Sequence, residues 1–179
     1  MISEKEAKSI LKKYSPDEES FKMVLAHSMA VKEAALNIIK KIVKVDKDLI
    51  KTASLLHDIG RFKCPPDKNG IYHGIAGAKI LRKEGLPKHA LVAERHIGVG
   101  ISKSDIKKQK LKLPLKDYIP KSIEEKVISY ADNLVEGEII HDIQYPIKRF
   151  SKELGKSFGE RVRKSHKEII DLQRKFIKK

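Results

Sequence analysis

Apolar residues recur along most of the chain in alternating steps of three and four, the period of helices that bury one face. Ala7, Ile10 and Leu11 mark a short amphipathic helix over residues 3–13. Tyr14-Ser15-Pro16-Asp17-Glu18 then supplies a cap, a proline at the first helical position and an acidic first turn. These signals open a long helix to about residue 44, with a buried stripe of Val24, His27, Val31, Ala34, Ile38 and Ile42. His27 lies within the stripe itself. Asp46 caps a third helix, 47–59, built on Ile50, Ala53 and Leu56. Its last turn is Leu55-Leu56-His57-Asp58-Ile59, and Gly60 ends it.

A polar excursion from Arg61 to Tyr72 follows, with Pro65, Pro66, Asn69 and Gly70 marking turns. It serves either as the edge of a cleft or as a plain connector. His73 opens the next helix, which runs to about Gly85, and its small residues Gly74, Ala76, Gly77 and Ala78 permit close approach to a neighbour. Pro87 starts a helix ending at Glu94-Arg95-His96, with Gly98 and Gly100 beyond. Pro114 and Pro120 bracket a Lys-rich connection. Ser122-Ile123-Glu124-Glu125 begins a helix with Val127, Ile128, Ala131, Leu134 and Val135 on its apolar side. Asp132 shares that side, and a buried carboxylate needs a cation, whether a metal ion or a lysine or arginine. Two more helices are expected at about 146–154 and 157–178, the last with an apolar stripe of Val162, Ile169, Leu172 and Phe176. The pattern predicts an all-α protein: a bundle of about five core helices over residues 1–144 and a basic helical extension over 145–179.

Composition narrows the classes. Among 179 residues, 40% are hydrophobic and 35% charged, which suits a folded chain with a sizeable core rather than a disordered one. Apolar runs are broken by charge well short of twenty residues and Met1-Ile2-Ser3-Glu4 is no signal peptide, so no membrane association and a cytoplasmic location are expected. The single cysteine, Cys64, excludes an internal disulfide and a thiolate metal site. A net charge of +15 attracts anions. Residues 145–179 concentrate it, with twelve Lys or Arg against four Asp or Glu. The final helices can dock on the domain, form a homo-oligomer contact or present a basic face to RNA; a plain Lys-rich solvated surface is the bland alternative.

His27, the adjacent His57 and Asp58, His73, His96 and Asp132 are ligand-type residues at buried or helix-end positions. In order and approximate spacing they resemble the HD-domain superfamily of metal-dependent phosphohydrolases over about residues 20–137. Leu55-Leu56-His57-Asp58, Tyr72-His73-Gly74, Glu94-Arg95-His96 and Ser129-Tyr130-Ala131-Asp132 are most similar to small stand-alone HDIG-type members, bacterial hydrolases that split diadenosine tetraphosphate among them. The resemblance implies a first metal on His27, His57, Asp58 and Asp132, and a second on His73 and His96 bridged by Asp58. It implies two divalent transition ions, for which imidazole-rich sets suit Mn, Fe, Co, Ni or Zn better than magnesium. It further implies hydrolysis of a nucleotide-like phosphoester or phosphoanhydride by metal-activated water, without a serine or cysteine nucleophile.

Asp58 and Arg61 are the candidate catalytic residues. Arg61 stands where close relatives often carry lysine; it either grips a substrate phosphate or caps the preceding helix. Lys63, Arg95 and Lys103 are further phosphate candidates, and Asn133 is a candidate to orient a ligand or substrate. His89 is expected at an exposed or substrate-edge position, because seven residues, about 10 Å of helix, separate it from His96; His141 and His166 are read as surface residues. The chain lacks the Gly-Tyr-Pro signature of cyclic-dinucleotide phosphodiesterases, the Glu-Asp pair of alarmone hydrolases and the polymerase half of tRNA nucleotidyltransferases. The expected partner is a phosphorylated small molecule, most simply a nucleotide. The alternatives are an RNA-directed phosphatase or cyclic phosphodiesterase using the basic terminal helices, and a non-catalytic module stabilised by metal.

Overall fold

The computed structural model describes residues 2–42, 44–67 and 70–174. Among them, nine α-helices and one two-stranded hairpin make up the regular structure, apart from short 3-10 turns. Five helices surround the candidate site: α2 (Glu18–Ile39), α3 (Lys47–Leu56), α4 (His73–Lys83), α5 (Pro87–Arg95) and α7 (Ile123–Leu134). Helix α1 (Glu4–Tyr14) covers one flank, and α6 (Lys103–Lys108), α8 (Gln144–Glu153) and α9 (Lys156–Arg174) complete the set.

Helix starts follow local chemistry. Ser3 and Glu6 close a capping box on α1, Asp17 accepts from Ser20 N–H at α2, Asp46 from Leu49 N–H at α3, and Ser122 from Glu125 N–H at α7. Helix α3 is buried on two faces. One face, with Ile50 and Ala53, joins Val31, Ala35, Val92, Ile128 and Ala131; the other, with Leu55 and Leu56, joins Leu11, Ala78, Leu81 and Ala93. Full burial of such aliphatic side chains contributes about 1.5–3 kcal/mol each. Because α3 lies between both clusters, its C-terminal end is held from all sides.

Several boundaries differ from the sequence pattern. Helix α2 ends at Ile39, not near residue 44; Ile42 is still buried, folded back through Ile42 N–H to Ile39 C=O at 2.9 Å. Residue 43, within that expected helix, lies outside the described residues, as do Asn69 in the polar excursion and Phe176 in the last stripe. Helix α3 stops at Leu56, and Ile59–Phe62 form a 3-10 turn instead of a last α turn. Helix α6 arises in the polar stretch before Pro114, where Ser102 and Asp105 form a capping box. Val135 leaves helix α7 and enters β1 (Val135–Glu136), which pairs antiparallel with β2 (Ile139–Ile140). Helices α8 and α9 pack on the bundle: Ile169 lies in the same cluster as Val127 and Ile128, and Gln173 Nε2 donates to Ile38 C=O at 2.8 Å.

Candidate metal centre

His57 and His96 occupy the C-cap positions of α3 and α5, where the last carbonyls of a helix lack partners. Each ring satisfies one of them. His57 Nδ1–H donates to Ser54 C=O at 2.7 Å, and His96 Nδ1–H to Ala93 C=O at 2.8 Å. His73, the first residue of α4, makes the same three-residue link to Gly70 C=O. His27, in the middle of α2, donates from Nδ1 to Gly137 C=O at the turn of the hairpin, 2.9 Å away. In all four rings a backbone carbonyl therefore holds Nδ1, and Nε2 is left to face the centre. This is the outer-shell arrangement that fixes the tautomer of a metal-ligating imidazole.

The two carboxylates complete the centre. Asp132 Oδ1 lies 3.1 Å from His27 Nε2 and 3.4 Å from His57 Nε2. Asp58 faces both halves: Oδ2 is 3.9 Å from His27 Nε2 and 4.0 Å from His57 Nε2, while Oδ1 is 3.0 Å from His73 Nε2 and 3.4 Å from His96 Nε2. His73 Nε2 and His96 Nε2 are themselves 2.9 Å apart. His57, His73 and His96 are buried, and Asp58 nearly so. All six residues that the sequence pattern singled out as ligands thus come together. Two donor groups within them, His27 with His57 and Asp132, and His57 with Asp58 and His96, converge closely enough to hold an ion.

Electrostatics agree with a cation-binding role. Burial pushes Asp58 upward, but the neighbouring His57, His73 and His96 rings outweigh it and hold the carboxyl well below the usual range. Asp132 is lowered too, because the His27 and His57 rings beside it overcome its burial. Burial alone would lower His27, yet Asp132 and then Asp58 raise it to about 9. Burial lowers His96. His57 Nε2 and Asp58 Oδ1 are buried without a hydrogen-bond partner, and buried polar atoms of that kind normally find one. Two carboxylates among four imidazoles whose Nε2 atoms converge fit a divalent ion chemically, and nitrogen-rich donor sets favour borderline transition ions.

The cationic candidates are placed differently. Arg61 Nε lies 3.4 Å from Asp58 Oδ2, so its guanidinium backs the shared carboxylate while 29% of the side chain stays exposed. Arg95 does not join the cluster; its guanidinium forks onto Glu125 at 3.0 and 3.1 Å. Lys63 and Lys103 are exposed, at the end of the 3-10 turn and at the start of α6. Asn133 Nδ2 donates to Gly98 C=O at 2.7 Å and to Ser129 C=O at 2.9 Å, which ties the loop after His96 to α7.

One histidine assignment, that of His89, needs correction. His89 is not exposed or at a substrate edge: it is buried, and its Nε2–H donates to Thr52 Oγ1 at 2.8 Å, the Thr52 hydroxyl in turn donating to Asp48 C=O. His141 is half-buried and stacks on Tyr145 with ring centroids 3.9 Å apart. His166 is also half-buried, and its Nδ1 is 2.6 Å from the Tyr130 hydroxyl. Sequence reasoning missed Ser129, whose hydroxyl lies 3.0 Å from both His96 C=O and Gly98 C=O. It also missed the Gly137 carbonyl. A main-chain acceptor has no residue-type signature, although a glycine following a ligand-bearing helix was a visible mark of a turn.

Fold and site together define a helical bundle with a candidate metal centre of four histidines and two aspartates at converging helix ends. The family model described as HD domain matches residues 24–137, and the chain belongs to that family. An uncharacterized protein of Methanocaldococcus jannaschii is 46% identical over 139 residues, covering 75% of this chain and 79% of the relative. Proteins named tRNA (cytidine(56)-2'-O)-methyltransferase from Picrophilus torridus and Thermoplasma volcanium are 35% and 37% identical, over 90% and 80% of this chain. The chain spans only 49% and 41% of those two relatives' lengths. No solved structure matches it. Among the described residues no helix is long and apolar enough to cross a membrane.

Proposed function

We propose that the chain is a metal-dependent phosphohydrolase that cleaves a nucleotide or nucleotide-like phosphoester or phosphoanhydride. The observation that carries this reading is Asp58, whose two oxygens face different histidine pairs, His27 with His57 and His73 with His96. His27, His57, Asp58 and Asp132 would hold one divalent ion, and His73 and His96, with Asp58 as the bridge, a second. Such ions would supply Lewis acidity to polarise a phosphoryl oxygen and make water nucleophilic at neutral pH.

The chain's own residues prepare the site. Four backbone carbonyls orient the imidazoles, and Arg61 fixes the shared carboxylate. The exposed part of the Arg61 guanidinium is placed to meet a phosphate oxygen. A side-chain nucleophile is not favoured: Ser54 Oγ is buried and finds no hydrogen-bond partner among the described residues, so no base activates it.

A second reading, an RNA-directed phosphatase or cyclic phosphodiesterase, draws support from the two relatives named for tRNA modification. Exposed Lys152, Lys156, Arg163, Lys164, Lys167 and Arg174 on α8 and α9 supply the charge that a nucleic acid requires. One experiment separates the readings: metal content, hydrolysis of an aryl phosphodiester, a nucleotide panel with dinucleoside polyphosphates, and short RNAs with phosphorylated or cyclic-phosphate ends, each compared with Asp58→Ala. Asp58-dependent turnover with about two ions per chain supports the proposal, and the preferred substrate selects the reading. Bound metal with no turnover on any substrate replaces it with a metal-stabilised binding module.

A further inference from the structure

A cavity of about 390 Å³ lies where the loop after α5 meets the α8–α9 pair, a volume within the range of about 300–1,000 Å³ usual for small-molecule sites. Its near wall adjoins the metal centre along the chain. Ile97 directly follows His96, Ile71 lies two residues before His73, and Glu136 adjoins Gly137, whose carbonyl orients His27. The near wall is thus built from chain neighbours of two ligand histidines and of the turn that orients a third. The far wall is aromatic, formed by Phe150 and Phe158, and Arg149 stands at its edge.

Arg149 differs from the other arginines around it. Arg61, Arg82, Arg95, Arg161 and Arg163 each lie within ion-pair distance of a carboxylate. Arg149 has no such partner among the described residues; its guanidinium instead lies 5.1 Å from the Phe150 ring centroid and 5.4 Å from that of Tyr145. A guanidinium beside aromatic rings and without a carboxylate partner is suited both to stacking and to forked contact with a phosphate. The apolar interior disfavours a bare sugar phosphate or polyphosphate, whereas a flat heterocycle gains from stacking on phenylalanine and arginine. Exposed Glu136, which lines the cavity, can accept from an exocyclic amino group.

We propose that this cavity is the nucleobase subsite of the substrate, with the base between the Phe150–Phe158 wall and Ile97 and with Arg149 reading a phosphate of the same nucleotide. The proposal rests on the phosphohydrolase reading for the direction in which the scissile phosphate points, but base binding itself is measurable without turnover. The chain contains no tryptophan, so Phe158→Trp in the metal-loaded full chain gives a reporter inside the cavity. Leu154→Trp, at a rim position 47% exposed, gives a second that does not disturb packing.

Titration with AMP, adenosine, ribose 5-phosphate and inorganic phosphate should give a saturable emission change for AMP and adenosine and none for the other two. Arg149→Gln in the reporter background should weaken AMP about tenfold and adenosine little, the loss expected for one charged hydrogen bond. Equal responses to ribose 5-phosphate and AMP, no response to AMP or adenosine from either reporter, or undiminished AMP binding by Arg149→Gln would overturn the proposal. A short oligoadenylate binding more tightly than AMP assigns the base to an RNA end, and tighter AMP assigns it to a free nucleotide; both keep the subsite. Base-dependent binding without Asp58-dependent hydrolysis sinks the catalytic reading and leaves the subsite standing.

Discussion

Replacing Gly60 by alanine tests how fold and centre depend on each other. An alanine Cβ at this buried position would lie 1.9 Å from His73 C=O oxygen, 2.5 Å from Gly77 N and 2.8 Å from the His73 carbonyl carbon. All three are backbone atoms of the first turns of α4, so no rotamer change relieves the overlap. The first contact is about 1.5 Å inside the shortest ordinary separation, and α4 must retreat by a comparable distance. It has little room to do so, because on its other side a Cβ at Gly74 would already meet Ala93 C=O at 2.7 Å. Overpacking typically costs 1–3 kcal/mol and occasionally more, and removing glycine's flexibility from the unfolded chain returns at most about 1 kcal/mol. With an overlap this deep the upper end applies, and a net loss of at least about 2 kcal/mol is expected.

The matched control is Gly77→Ala. There the nearest atoms are Gly60 N at 3.2 Å and Ile59 Cγ2 at 3.4 Å, which shifts of a few tenths of an ångström relieve. Its cost should stay below about 1 kcal/mol. Urea unfolding followed by far-ultraviolet circular dichroism, with chelator present, measures both variants free of metal linkage. Because His73 travels with α4, Gly60→Ala should also weaken metal binding by the proposed His73–His96 pair at least tenfold. A Gly60→Ala protein as stable as the parent and binding the same metal would refute the close-approach argument.

Three further outcomes follow from the same geometry. Burial lowers His89 from the ordinary 6.5 to about 4, so the unfolded chain binds the extra proton between those values. Stability should therefore be fully present above pH 6.5 and fall by about 3 kcal/mol toward pH 4. The difference from His89→Gln, measured across that range, should account for the slope; parallel curves would show that His89 contributes nothing. Glu125→Ala leaves Arg95 without its carboxylate and Lys121 N–H without an acceptor. It should cost about 3 kcal/mol in urea, with Arg95→Met in the same chain recovering part of it; no recovery would count against the ion pair as the cause. Chelation should lower the thermal midpoint, by an amount worth about 4 kcal/mol when the ion had been present at a thousandfold excess over its Kd. Asp58→Ala should remove most of that difference, and a midpoint indifferent to chelator in the parent would contradict a buried ion.

Helix phase explains why the ligand set was legible and why its neighbours were not. His27 sits at the helical spacing of Val31 and Ala34, and His57, His73 and His96 lie at helix ends marked by glycine or a polar turn, so residue type and spacing singled them out and the family resemblance made them candidate ligands. The same logic should have buried His89. Seven residues are almost two full turns, which brings His89 back to the face of His96, alongside Val92 and Ala93. Rise along the helix correctly kept it out of the cluster, but rotation about the axis decided its exposure. Arg95 was illegible for another reason: its partner Glu125 begins a helix thirty residues later, and only the packing of α5 against α7 brings them together. The hairpin after α7 gave a weak signal because each strand has two residues, too few for an alternating pattern.

The direction of the helices adds an argument for a cation that no single ligand provides. Helices α3 and α5 both deliver their C-terminal ends, at His57 and His96, to the centre. Such ends carry partial negative charge, and their last carbonyls seek donors. A histidine at the C-cap answers both demands: its Nδ1–H satisfies Ser54 or Ala93 C=O, and its other nitrogen is then an acceptor aimed away from the helix. The fold thereby assembles lone pairs, carboxylates and helix C-termini around one buried point. A lysine or arginine could neutralise Asp132 or Asp58 singly, but neither supplies a partner for four converging Nε2 atoms, two of them 2.9 Å apart. One species with several acceptors around it relieves all of these repulsions at once, and a divalent ion is the partner that the arrangement fits.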